Sequence, residues 1–143
     1  MRLWHKSLIH SLPREQLVAQ WRECSAIAGN IATRGTPNHI LVNRVLDYDF
    51  DHFITYSKMI RDEMTRRKYR TMDSVWNKIV SLKPDWKPVP EEKLFKEWMD
   101  DIYLDICYHN LLEKYICGGI AEEDWLPIYD FYIAETQKAG RYS

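Results

Sequence analysis

Glycine is scarce in this chain of 143 residues, at 5, and runs of β-branched residues are missing. With Leu, Lys, Glu and Arg abundant, that shortage argues against a loop-rich or strand-rich fold and for a mainly helical one. There is no internal repeat and no low-complexity tract. Cysteine is also sparse: three residues, an odd number at irregular spacing, do not make a disulfide framework, so Cys24, Cys107 and Cys117 read as reduced thiols. Cys107-Tyr108-His109 with Cys117 is the nearest approach to a metal-ligand set. No second paired motif completes it, so no metal is expected. No stretch approaches the ~20 apolar residues of a membrane span. The first residues lack the apolar run and small-residue cleavage site of a secretory signal. A cytoplasmic protein without membrane contact is the expectation.

Apolar residues make up 45% of the chain, enough for one core, and aromatics are plentiful, with Trp 6 and Tyr 9. The formal net charge of −1 speaks against a protein that coats nucleic acid indiscriminately. The distribution says more: residues 1–88 carry 15 Lys/Arg and 9 Asp/Glu, whereas residues 89–143 carry 5 and 12. Such a split either turns a basic face toward phosphates or matches the two halves to each other inside the molecule.

Ser11-Leu12-Pro13-Arg14-Glu15 reads as a helix start, with Ser11 as cap and Pro13 in the first turn. The spacing predicts a helix to Ile27 or Ala28, stopped by Gly29-Asn30, with Leu17, Trp21, Cys24 and Ala28 as its core stripe. Residues 30–48 break the pattern: Arg34 to His39 is turn-rich, and Ile40-Leu41-Val42 is a short apolar run expected to pack over the core. A second helix is expected from Asp49 to Lys68 through Phe50, Phe53, Ile54, Ser57, Ile60 and Met64, and a shorter one from Thr71 to Leu82. Three prolines make Lys83–Pro90 a stiff linker. One long helix is expected from Glu91 to Cys117, along Leu94, Trp98, Ile102, Ile106 and Leu111. A last one runs from about Glu122 to Lys138, with Trp125, Ile128, Tyr129, Tyr132 and Ile133. The expected architecture is all-α, a single compact domain over residues 1–143 of about four to five helices around one core.

The chemistry of interest lies at the start of the chain. A free α-amine has a pKa of ~8, well below that of lysine, so a good share of it is an uncharged nucleophile near neutrality. A carboxylate on a rigid helix can then move protons for whatever that amine attacks. On the first helix Ala19 and Ala26 stand three and four residues from both Arg22 and Glu23. Two small neighbours leave a low surface on which a bulky ligand reaches the backbone, or else they mark a close helix–helix contact with Arg22 and Glu23 merely solvated.

Leu17, Ala19, Trp21, Arg22 and Glu23, with Leu8, Ile9 and Leu12 upstream, fall in the order in which the first helix of the pyrimidine-dimer DNA glycosylases ends. The chain resembles that family, of the phage ultraviolet-endonuclease type. Val45-Leu46-Asp47-Tyr48, then Phe53-Ile54 and the helix to Arg67-Lys68-Tyr69, extend the likeness, which is strongest over residues 1–70. The resemblance implies a DNA glycosylase with abasic-site lyase activity that acts on double-stranded DNA carrying pyrimidine dimers or related lesions, or an abasic site. It implies a monomer and no cofactor. The amine of Met1 would attack the sugar carbon and form an imine, Glu23 would serve as acid and base, and Arg22 and Arg2 would hold phosphates. Gln16 and His5 would join the DNA-binding set, His5 beside the amine. Such chemistry demands bent DNA with a base turned out of the stack.

Three features differ from the family pattern. Arg2 is too large for ordinary removal of the initiator methionine, so the nucleophile would be Met1 itself. Ala26 stands where the family carries a second arginine. Ile128-Tyr129-Asp130-Phe131-Tyr132 replaces a basic aromatic tail. These differences keep a second reading open, a non-enzymatic helical domain that retains the fold and binds nucleic acid or protein. A third rests on Arg34 and His39, whose spacing occurs in some metal-independent helical ribonucleases. Arg66-Arg67-Lys68 reads as a solvated helix end with phosphates within its reach.

Overall fold

A computed structural model describes residues 1–140. Among them are five α-helices, α1 Arg14–Arg34, α2 Phe50–Arg66, α3 Asp73–Val80, α4 Asp101–Ile116 and α5 Glu122–Lys138. Three 3-10 turns, Lys6–Ser11, Asn43–Asp47 and Glu91–Lys93, join them, and no strand is present among the described residues. Helix α1 packs on α2 and α3, α4 packs on α5, and the Lys6–Ser11 turn touches both α2 and α5. One continuous apolar cluster runs from Leu3 to Tyr132. No helix among the described residues is long and apolar enough to cross a membrane.

The stripe Leu17, Trp21, Cys24 and Ala28 is buried as its spacing demands, but α1 does not stop at Gly29-Asn30. Ile31 extends the buried stripe by one more turn, and Gly35 supplies the left-handed cap, with φ +75° and its N–H donated to the Ile31 carbonyl at 2.8 Å. A glycine inside a helix costs about 1 kcal/mol relative to alanine, less than the burial of an isoleucine contributes. Of Ile40-Leu41-Val42, only Val42 reaches the core; Ile40 is 84% exposed and Leu41 45%. Helix α2 lies within its expected limits and begins on Asp49, whose side chain accepts from the Asp51 N–H.

The expected helix from Glu91 to Cys117 is broken. Residues 94–100 form irregular turns, Phe95 sits at φ +48°, and α4 begins only at Asp101. Side chains from elsewhere take over the backbone groups of this segment: His52 Nδ1 accepts from the Phe95 N–H at 3.1 Å, the Tyr48 hydroxyl from the Trp98 N–H at 3.1 Å, and His5 donates to the Met99 carbonyl at 2.8 Å. Asp100 caps α4 by accepting from the Tyr103 N–H at 2.8 Å. The break resets the register. Ile102 is 70% exposed and Ile106 45%, and the buried face is Leu104, Cys107, Tyr108 and Leu111.

Of the Arg66-Arg67-Lys68 run, Arg66 and Lys68 are exposed as a solvated helix end requires, but Arg67 turns inward. Arg67 donates to the carbonyls of Leu12 at 2.7 Å and His10 at 3.1 Å, and with Arg66 it clamps the buried Glu63 carboxylate. Burial raises the Glu63 carboxyl, and hydrogen bonds from both arginines overrule it, leaving it below its ordinary range. This cluster fastens α2 to the amino-terminal turn.

His5 is the second fastening. It lies in the interior, not on the surface beside the amine. Nε2 donates to Met99, while Nδ1 accepts from the backbone N–H and hydroxyl of Ser7 at 3.1 and 2.8 Å and so caps the Lys6–Ser11 turn. Burial, with a smaller contribution from Lys6, pushes its pKa from 6.5 down to about 4. A lowered histidine stabilises the fold fully above the unfolded value and loses that contribution as pH falls toward the folded one. Between pH 6.5 and 4, then, stability is expected to drop by about 3 kcal/mol in total. Denaturant titrations across that window check the drop, and His5→Asn should flatten it.

Candidate nucleic-acid interface around Glu23

The first four residues, without regular structure, are held against α1 because Gln20 serves them as a substitute peptide partner. Its Oε1 accepts from the Trp4 N–H at 2.7 Å, and its Nε2 donates to the Arg2 carbonyl at 2.9 Å. The second Nε2 hydrogen goes to Glu23 Oε2 at 3.0 Å. The Tyr56 hydroxyl lies 2.9 Å from Gln20 Oε1 and 2.6 Å from the Trp4 carbonyl. Both amide hydrogens and the amide oxygen are thus engaged, with the single Tyr56 hydrogen shared between that oxygen and the Trp4 carbonyl, in a residue with no exposed surface. Leu3, fully buried, gives its carbonyl to the Tyr103 hydroxyl. Burial raises both the Tyr56 and Tyr103 phenols, so each remains a neutral donor.

This anchoring delivers the chain's start to Glu23. The Arg2 N–H points at Glu23 Oε2 in a long contact of 3.5 Å, and Met1, Arg2, Trp4 and Glu23 line one cleft of about 290 Å³. The far wall of that cleft comes from Leu41, Asn110, Glu113 and Lys114. A second cleft, of about 280 Å³, adjoins on the other side of Glu23 and takes in Gln16, Ala19, Gln20 and Arg22, with Trp4 and Lys114 shared between the two. The Arg2 guanidinium sits 5.7 Å from the centre of the Trp4 ring.

Met1, Arg2, Gln16, Arg22 and Glu23 therefore converge on two adjoining clefts, whereas His5 is turned inward. Gln16 is buried at the edge of the second cleft, and its Oε1 has no partner among the described residues. Arg22 and Met1 are exposed and Glu23 is partly so. Ala26 is exposed and borders neither cleft, so it marks no helix–helix contact; Ala19 borders the second. The charge split does not map simply onto this surface. Arg2, Arg22 and Lys114 face Glu15, Glu23 and Glu113 across the two clefts, and Lys114 belongs to the acidic half.

Sequence reasoning missed Gln20, Trp4 and Lys114. Gln20 had a readable signal, since it lies three residues after Leu17 and four before Cys24, a polar residue inside an apolar stripe. Lys114 had none, because its place at the clefts depends on where the chain brings α4 in the folded molecule. The remaining candidates do not assemble. Arg34 ends α1 in solvent, and His39 uses Nδ1 to accept the Leu41 N–H at 3.2 Å, a role within its own turn. Cys24 and Cys107 are buried and Cys117 is exposed, all as free thiols, and burial pushes the Cys24 thiol up to about 12. Among the described residues no three His, Cys, Asp or Glu side chains gather as a metal-ligating group.

Residues 1–77, more than half of the chain, match the family model described as pyrimidine dimer DNA glycosylase. The matched span holds the amino-terminal segment, α1 and α2, whereas Asn110, Glu113 and Lys114 come from beyond it. No curated protein and no solved structure matches the chain.

Proposed function

Because the chain belongs to the pyrimidine dimer DNA glycosylase family, we propose that it excises damaged bases from duplex DNA and cleaves the resulting abasic strand, with the Met1 α-amine as nucleophile and Glu23 as acid and base. The observation that carries this reading is the shared cleft of Met1 and Glu23, with Gln20 tying the Arg2 carbonyl and the Glu23 carboxylate together.

The amine lone pair forms a bond to C1′ as the bond from C1′ to the base breaks, and the base leaves with that electron pair and takes up a proton. The nitrogen gives its proton to the Glu23 carboxylate, and ring opening follows: the C1′–O4′ bond breaks, nitrogen and C1′ form a protonated imine, and O4′ receives that proton from Glu23, which is again a carboxylate. The Glu23 carboxylate then removes a C2′ proton. The freed electron pair expels the 3′ phosphate by elimination and the strand breaks. Water hydrolyses the imine and returns the amine. Arg2, Arg22 and Lys114, arranged around the carboxylate, hold backbone phosphates, and Gln16 contacts the DNA from the second cleft. Lys114 makes up in part for the arginine that Ala26 replaces. The acidic residues among these cations keep general affinity for undamaged DNA low.

Incubation with an abasic-site duplex tests the proposal. Strand scission is expected, and with borohydride present a stable protein–DNA adduct should form. If no scission and no adduct appear with any abasic or dimer-containing duplex, the protein is a binding module instead.

A further inference from the structure

Ile40 and Leu41 are adjacent apolar residues at the tip of a turn, the first almost wholly exposed and the second on the wall of the Glu23 cleft. The turn is stiff. Val42 and Asn43 donate to the His39 carbonyl at 3.0 and 2.9 Å, Leu41 donates to the His39 ring, and Asn43 Oδ1 accepts from the His39 N–H at 3.1 Å. Both of its ends are pinned, by Pro37 and Val42, which are buried, and by Asn30 on α1, which donates to the Pro37 carbonyl at 3.3 Å. Asn38 takes the left-handed conformation, φ +58°, that the tight reversal needs and that asparagine tolerates.

A single exposed apolar side chain is ordinary on a protein surface, but two adjacent ones on a hydrogen-bonded turn at the edge of a cleft present apolar area to whatever the cleft binds. Other apolar side chains exposed at least as much as Leu41, namely Met72, Ile102, Ile106, Ile116 and Leu126, border neither cleft around Glu23. Leu41 lines the Glu23 cleft and Ile40 is its neighbour in the chain, so a duplex bound at Glu23 would lie beside this tip. Proteins that kink DNA do so by pushing such side chains between base steps, and an attack on C1′ requires the stack to open.

We propose that the Ile40–Leu41 tip is a wedge that enters the base stack next to the lesion and holds it open while the sugar occupies the Glu23 cleft. The proposal rests on the reading of that cleft as a damaged-DNA site. It gives a positioning role to two residues that touch bases, not reacting atoms. Because the turn is ordered before DNA arrives, little flexibility is lost when it inserts.

The test uses the full chain and two DNAs. The first is a duplex with 2-aminopurine beside a tetrahydrofuran abasic analogue, which has no reactive aldehyde and reports unstacking by fluorescence. The unsubstituted protein should raise the signal, Ile40→Ala with Leu41→Ala should reduce that rise at least about fivefold, and methionine at both positions should restore it. The second is a true abasic duplex, on which the double alanine variant should cleave about tenfold more slowly, and within about twofold of the unsubstituted protein once the flanking pairs are mismatched and already unstacked. Both positions are solvent-facing, so unchanged thermal unfolding is the control for fold. A signal rise equal to that of the unsubstituted protein in the alanine variant, or equal slowing on paired and mismatched DNA, overturns the wedge. If the unsubstituted protein unstacks the inert duplex but cleaves nothing, the wedge stands and the enzymatic reading fails. If it leaves the fluorescence unchanged, the wedge falls whatever the cleavage result.

Discussion

Glu23→Gln is expected to slow single-turnover cleavage of an abasic duplex by about 10²–10⁴-fold, the range a positioned general acid or base supplies. Glutamine keeps the size of the side chain and an oxygen for the Gln20 and Arg2 donors, so the amino-terminal segment should remain anchored. What it cannot do is give a proton to O4′ or take one from C2′. Because Glu23 is partly exposed and off the buried stripe of α1, thermal stability should hardly move. A variant that cleaves within about threefold of the unsubstituted protein would remove Glu23 from the mechanism, since even the weaker end of the general acid–base range exceeds that factor.

Blocking the α-amine should have an equally large effect by a different route. Acetylation of Met1, or a few residues added before it, turns the amine into an amide whose lone pair is delocalised into the carbonyl and no longer attacks carbon. Scission and borohydride trapping are expected to fall to background, while duplex binding by gel shift and thermal unfolding remain. The pattern separates the enzyme from a helical module that only binds, because the module would lose nothing. Met1 is exposed and its neighbour Arg2 only half-buried, so an extension has room to leave the cleft without unfolding the segment.

The helices that carry the site were legible because their information is local. The stripe from Leu17 to Ala28 located α1 and its buried face, though not its end, the spacing from Phe50 to Met64 put α2 close to its observed limits, and the Arg22-Glu23 pair pointed to the family. The failures occur where tertiary partners outvote periodicity. Leu94, Trp98 and Ile102 keep helical spacing, yet His5, Tyr48 and His52 claim the intervening backbone groups, and the Asp100 cap restarts the helix in another register. Gly29 looked like a stop because glycine often is one, but the deciding residue was Ile31, which buries one turn later. Ile40 and Leu41 were expected inside since they are apolar; only the hydrogen-bonded turn around His39 and Asn43 reveals that they point away from the core. The residues that complete the clefts from α4 were out of reach for sequence alone, since no local pattern tells which residue of one helix will face another after the chain folds back.

The most direct test maps the borohydride-trapped adduct. The protein is trapped on an abasic duplex, digested with nuclease and protease, and the modified peptide is identified by mass spectrometry. The account predicts the sugar fragment on the α-nitrogen of Met1, in the peptide that includes Arg2, and on no lysine. A sugar carried by Lys114 or any other lysine side chain, with the amino-terminal peptide unmodified, would contradict it.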